Sequence, residues 1–72
     1  MQEIEFHLKT EYIYLLQLLK ATSVVMSGGE AKILVDDGFV FVNGKLEHRR
    51  RRKLCIGDVV IFDDQIRISL IK

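Results

Sequence analysis

Apolar and polar positions change rhythm repeatedly along this chain, and each change marks an element. From Glu3 to Leu8 they alternate, with Ile4, Phe6 and Leu8 on one side and Glu3, Glu5 and His7 on the other. Period two predicts a half-buried strand. Tyr12 to Tyr14 are extended-prone residues leading into L-L-Q-L-L-K-A-T. In that run Leu15, Leu18 and Leu19 share a helical face while Gln17 and Lys20 point outward, so a short helix is expected over about Leu15 to Thr22. A second helix is signalled by its ends. Ser27 followed three residues later by Glu30 is a capping-box pattern, and Ala31, Leu34 and Val35 supply the buried stripe. Gly38 stands where a left-handed residue closes a helix. Asp36 and Asp37 oppose the dipole of the last turn and mark its end.

Beyond Gly38 the rhythm returns to strands. Phe39 to Val42 is a short apolar run ended by Asn43-Gly44, a hairpin signal, with Lys45 to Glu47 returning as a short strand. Val59 to Phe62 and Ile66 to Leu70 form a last hairpin across Asp63, Asp64 and Gln65. The order strand, helix, helix, then strands predicts an α+β fold. Two short helices pack on one side of a small, mostly antiparallel sheet.

Composition narrows the class. Seventy-two residues suffice for a single domain over 1–72, and 49% of them are hydrophobic, with no proline. A chain this short buries only about 60% of the surface its unfolded form exposes, so the core has to be economical. The single cysteine, Cys55, excludes an internal disulfide and fits a reducing cytosol. The acidic, alternating start M-Q-E-I-E-F is unlike a signal peptide. No apolar run approaches the roughly 20 residues of a membrane span. A soluble, cytoplasmic protein with no membrane partner is expected.

Charge changes the picture more. Lys45, Arg49, Arg50, Arg51, Arg52 and Lys53 face one acid in the same stretch, Glu47, giving about +5 where the whole chain carries only +1. Everything else therefore sums to −4. A generic charge run is usually a solvated loop. This one lies between two strands of a small domain, with Lys20, Lys32 and Lys45 able to join it if the helices pack beside the hairpin. An arginine run has no packing role of its own, and its planar forks suit phosphate oxygens and base faces. The polyanion-binding reading is favoured. Ser27-Gly28-Gly29 is a second candidate, because free N–H groups at a helix start favour an anion and glycines let a phosphate approach. By itself that motif reads more simply as a cap with a tight turn.

The other polar residues point nowhere else. His7 and His48 lack metal-ligand spacing, and Cys55 in its Leu-Cys-Ile context is expected in the core. Gly57-Asp58 and Asp63-Asp64 read as turns. Tyr12, Tyr14, Phe39 and Phe41 have the faces to stack on bases, but in so small a domain they are expected in the core. No nucleophile motif, phosphate loop or acid–base pair is present, so the expectation is no enzyme, no cofactor and no metal.

Taken together, L-L-Q-L-L-K-A-T, S-G-G-E-A-K-I-L-V-D-D-G-F-V-F-V-N-G-K and R-R-R-R-K-L-C-I-G-D-V-V resemble the RNA-binding domain named after ribosomal small-subunit protein S-four, the alpha-L RNA-binding motif. The likeness runs from about Leu15 to Val60 and is strongest to small stand-alone bacterial members. It implies a groove for structured RNA between the helices and the sheet, with Ser27, Lys32 and the basic residues after Asn43 on the RNA backbone. Many members carry an arginine directly after the capping serine. Here Gly28 stands there, which shifts affinity onto Arg49 to Lys53. The candidate RNA-binding set is Lys20, Ser27, Gly28, Gly29, Lys32, Asn43, Lys45, Arg49, Arg50, Arg51, Arg52 and Lys53. Ribosomal or other folded RNA is the implied partner, with a role in ribosome assembly or translation. A ribosomal or other protein is a further candidate partner. The competing readings are a protein-interaction module docking its arginines on an acidic partner, and non-specific binding to DNA or another polyanion.

Overall fold

A computed structural model describes all 72 residues. The elements run β1 Gln2–His7, β2 Ile13–Tyr14, α1 Leu15–Ala21, α2 Gly28–Asp36, β3 Val40–Val42, β4 Lys45–Leu46, β5 Lys53–Leu54, β6 Val59–Phe62 and β7 Ile66–Ile71. Five strands make one sheet in the order β1-β7-β6-β3-β4, and β2 pairs with β5 in a separate two-stranded ladder. Every pair is antiparallel except β1 with β7, which places the first and last strands side by side in parallel.

Register explains how the sheet becomes one-sided. Ile4 lies opposite Ile68 and Phe6 opposite Leu70, while Val60 and Phe62 on β6 meet Ile68 and Ile66 on β7. Val42 and Val40 on β3 continue the row through Val60 and Phe62. Because side chains alternate along a strand, this whole row faces one way. The helices cover it. Leu15, Leu18 and Leu19 from α1, with Ala31 and Val35 from α2, join Val40, Val42, Leu54, Val60, Ile68 and Leu70 in one core cluster. Each fully buried leucine or isoleucine side chain contributes roughly 1.5–3 kcal/mol. The opposite face is more polar along β1 and β7, where Glu3 and its register partner Arg67 form an ion pair at 2.9 Å.

The turns follow the residues that make them. Asn43 and Gly44 both take positive φ, 53° and 83°, the conformation of a type I′ hairpin turn between β3 and β4. Gly38 at φ 85° closes α2: its N–H bonds the Val35 carbonyl at 3.3 Å and that of Phe39 bonds Leu34 at 3.1 Å. These two bonds are the Schellman arrangement. At the other end of α2 the Ser27 hydroxyl accepts from the Glu30 N–H at 3.2 Å. The reciprocal half of the expected capping box is displaced by one residue, since the Glu30 carboxylate accepts from Met26 N–H at 3.3 Å.

Two expectations fail here. Cys55 is exposed rather than in the core, because it sits just after Leu54 has turned inward. The aromatics also stay out: Tyr12 and Phe39 are exposed and Tyr14 and Phe41 half-buried. Leucine, isoleucine and valine fill the core without them.

Candidate nucleic-acid interface

The basic run is held by two carboxylates that come from different places. Glu47 continues β4 by donating its N–H to the Val40 carbonyl at 3.0 Å, and its side chain turns inward with the residue only 6% exposed. There it accepts from Arg49 Nε and the Arg49 backbone N–H, each at 3.0 Å, from Arg49 Nη2 at 3.2 Å and from Arg52 Nη1 at 2.9 Å. Charge-assisted bonds of this kind favour the ionised acid. Hydrogen bonding from Arg49 holds the Glu47 carboxyl down at about 2, against the opposing effect of burial. The second carboxylate is Asp36, in the last turn of α2. It takes Arg50 bidentately through Nε and Nη2, and the Arg50 bond is the main cause that lowers its pKa, with smaller help from His48 and Lys32.

The backbone of the run has its own task. The first N–H groups of a helix lack intrahelical partners. In α1 those of Leu15 and Leu16 donate to the carbonyls of Arg52 and Arg50, at 2.9 and 3.4 Å. The loop therefore caps α1, spans to α2 through Arg50 and Asp36, and ends in the β2–β5 ladder. Contrary to the sequence expectation, three of the four arginines are built into the fold. Arg51 alone among them forms no ion pair.

An open groove of about 740 Å³ lies where these parts meet, lined by Leu16, Lys32, Asp36, His48, Arg50 and Arg51. Lys32 is exposed and without an ion-pair partner. On α2 Gly28, Lys32 and Asp36 are spaced by four and share one side, so the Ser27-Gly28-Gly29 start lies one turn before the groove. A Cβ built on Gly28 would meet nothing within 4 Å, and one on Gly29 only the Ser27 hydroxyl at 3.9 Å. Neither glycine is demanded by packing or by a positive φ, and both leave the helix start approachable. Lys20 is exposed one turn after Leu16 on the same side of α1.

The remaining candidates separate from this cluster. Lys45 is exposed on the β3–β4 hairpin, away from the groove lining. Asn43 is committed internally: its Nδ2 donates to Asp58 at 3.0 Å and its Oδ1 accepts from Val59 N–H at 2.9 Å, pinning the hairpin turn to the Gly57-Asp58 corner. Lys53 Nζ lies 4.8 Å from the centre of the Tyr12 ring, and Arg51 Cζ lies 5.9 Å from that of Tyr14. Glu47, Asp36 and His48 are the parts that sequence reasoning left out of the site, while Tyr12 and Tyr14 have the faces to stack but were expected in the core. A lone acid inside a basic run was the available sign for Glu47.

The S4 domain profile matches residues 6–69, nearly the whole of this architecture and every residue of the groove. The chain belongs to the S4 domain family. A curated relative is the "Probable ribosome maturation protein RlbA" of Bacillus subtilis (strain 168), 49% identical over 51 residues that span 71% of this chain and 72% of the relative. No group of three or more His, Cys, Asp or Glu side chains is arranged to hold a metal ion, and no helix is long and apolar enough to cross a membrane.

Proposed function

We propose that this S4 domain protein binds structured ribosomal RNA in the groove between α1, α2 and the arginine loop, and that it serves ribosome maturation in the cytoplasm as a binder rather than a catalyst. The observation that carries the reading is the division of labour among the cations. Glu47 and Asp36 fix the loop's shape, while Lys32 and Arg51 remain unpaired in the groove with Lys20 beside it. Arg49 and Arg50 still expose 70% and 47% of their side chains, and a guanidinium has five N–H donors, so each keeps donors for phosphate oxygens. A surface so held recognises shape. A-form RNA offers phosphates and 2′-hydroxyls across a shallow groove rather than base edges in an accessible deep one. The S4 membership and the name of the Bacillus relative support the ribosomal target.

The test is a competition titration in which unlabelled RNA and DNA hairpins displace a labelled RNA hairpin at two salt concentrations. About five phosphate contacts, from Lys20, Lys32, Arg50, Arg51 and Lys53, give a slope of log affinity against log salt of roughly −3 to −5. RNA should compete better than DNA of equal length. Equal competition by DNA would reduce the reading to general polyanion binding, and no binding to RNA at low salt would favour an acidic protein partner.

A further inference from the structure

Tyr12, just before the short β2 strand, alternates with the strand residues Ile13 and Tyr14. Ile13 packs against the core, and its neighbours are thereby placed on the outer side of the ladder, where β5 pairs Leu54 with Ile13 and Lys53 with Tyr14. The two rings meet edge to face, with centroids 5.3 Å apart and planes inclined at 61°. They are the chain's only tyrosines, and it has no tryptophan. In a domain that seals its core with aliphatic residues, Tyr12 is exposed and Tyr14 half-buried outside the core, each with a cation over its ring. A shallow depression opens beside them, lined by Glu11, Tyr12, Tyr14 and Gln17 among others. Gln17 accepts from the Tyr14 N–H through Oε1 at 3.1 Å, which leaves its amide NH₂ group free of any internal bond.

Position turns this into more than an aromatic pair. Arg51 lies over Tyr14 and also lines the basic groove. Leu16 and Gln17, adjacent on α1, line the groove and the depression respectively. The two surfaces are contiguous. We propose that Tyr12 and Tyr14 form a stacking platform for an unpaired RNA nucleobase at the edge of a helix seated in the groove. The inference rests on the RNA-binding reading above and adds to it a junction between paired and unpaired strands as the preferred form. Aromatic rings offer a stacking face to any base. Lys53 and Arg51 stand ready to take the flanking phosphates, and the Gln17 amide to donate to an acceptor on the base edge.

The experiment compares a blunt RNA duplex with the same duplex carrying a short unpaired extension at either end, in titrations followed both by affinity and by tyrosine fluorescence. All tyrosine emission comes from this site, so stacking is read directly. One extension should bind about five- to hundredfold tighter than the blunt duplex, the range that stacking a base supplies, and should quench the emission. Replacing both residues in Tyr12→Leu/Tyr14→Leu should erase that preference and leave blunt-duplex affinity in place, whereas Tyr12→Phe/Tyr14→Phe should keep it. Should the leucine variant not fold, the wild-type quenching decides. No gain from either extension, or a gain without quenching, would overturn the platform while blunt-duplex binding upheld the groove. Failure of every RNA to bind would overturn both.

Discussion

The five-stranded sheet and the arginine loop are stabilised by opposite means. The sheet is held by one continuous apolar row, in which Ile68 and Val60 are fully buried and opposite each other, and its few polar contacts lie on the outer face. The loop contributes only Leu54 to the core. Carboxylates and carbonyls fix it instead, with Glu47 drawing in Arg49 and Arg52, Asp36 taking Arg50, and two loop carbonyls capping α1. A sheet of this kind needs only the right pattern. A loop of like charges needs acids at particular points, and what they do not neutralise is left for a ligand.

The contrast can be broken from either side. Ile68→Ala should have the largest effect, about 2–5 kcal/mol of lost stability from the cavity and the missing apolar contact, read as a shift in the urea midpoint. In so small a domain that approaches the whole of its stability, and RNA binding should fall only as the folded fraction falls. Glu47→Gln comes next, at about 2–3 kcal/mol, because two arginines and a backbone N–H lose an ionised acceptor. The sign with pH is definite. Glu47 is held at about 2 in the folded protein, below its unfolded value. Its contribution is therefore complete above about pH 5 and fades as the pH falls toward 2. Thermal melts of the wild type should show this acid-dependent loss, and Glu47→Gln should flatten it. Ser27→Ala, which removes the α2 cap, should cost about 1 kcal/mol and leave the loop's ion pairs untouched. An unchanged melting temperature would contradict the cap's contribution.

Most of the fold was legible in the sequence because period and turn chemistry are local. The alternation of Ile4, Phe6 and Leu8, the leucines of α1 and the Asn43-Gly44 turn each predict an element that is present. The parallel pairing of β1 with β7 was not legible, since nothing in either strand names its distant neighbour. The site was readable as a charge count but not as an arrangement. Asp36 looked like a residue that merely ends a helix, yet fourteen positions later Arg50 closes on it. Glu47 looked like a stray acid, and its inward turn follows from continuing the β4 ladder past Leu46. Tyr12 and Tyr14 were assigned to the core by residue type, although their alternation with Ile13 already put them on the side away from it.

The proposed function has the arginines tied to carboxylates shape the loop while the unpaired cations of the groove bind RNA. Its most direct test is the double reversal Lys32→Glu/Arg51→Glu, followed by circular dichroism and an RNA titration on the same sample. Neither residue has an ion pair to lose, but the reversal places a second acid four residues before Asp36 and removes Arg51 from the Tyr14 ring, so stability should fall by about 1 kcal/mol and the fold should remain intact. Affinity should fall for every structured RNA alike, with the salt slope reduced by about two. A well-folded double variant that binds RNA with undiminished affinity and an unchanged slope would contradict the claim.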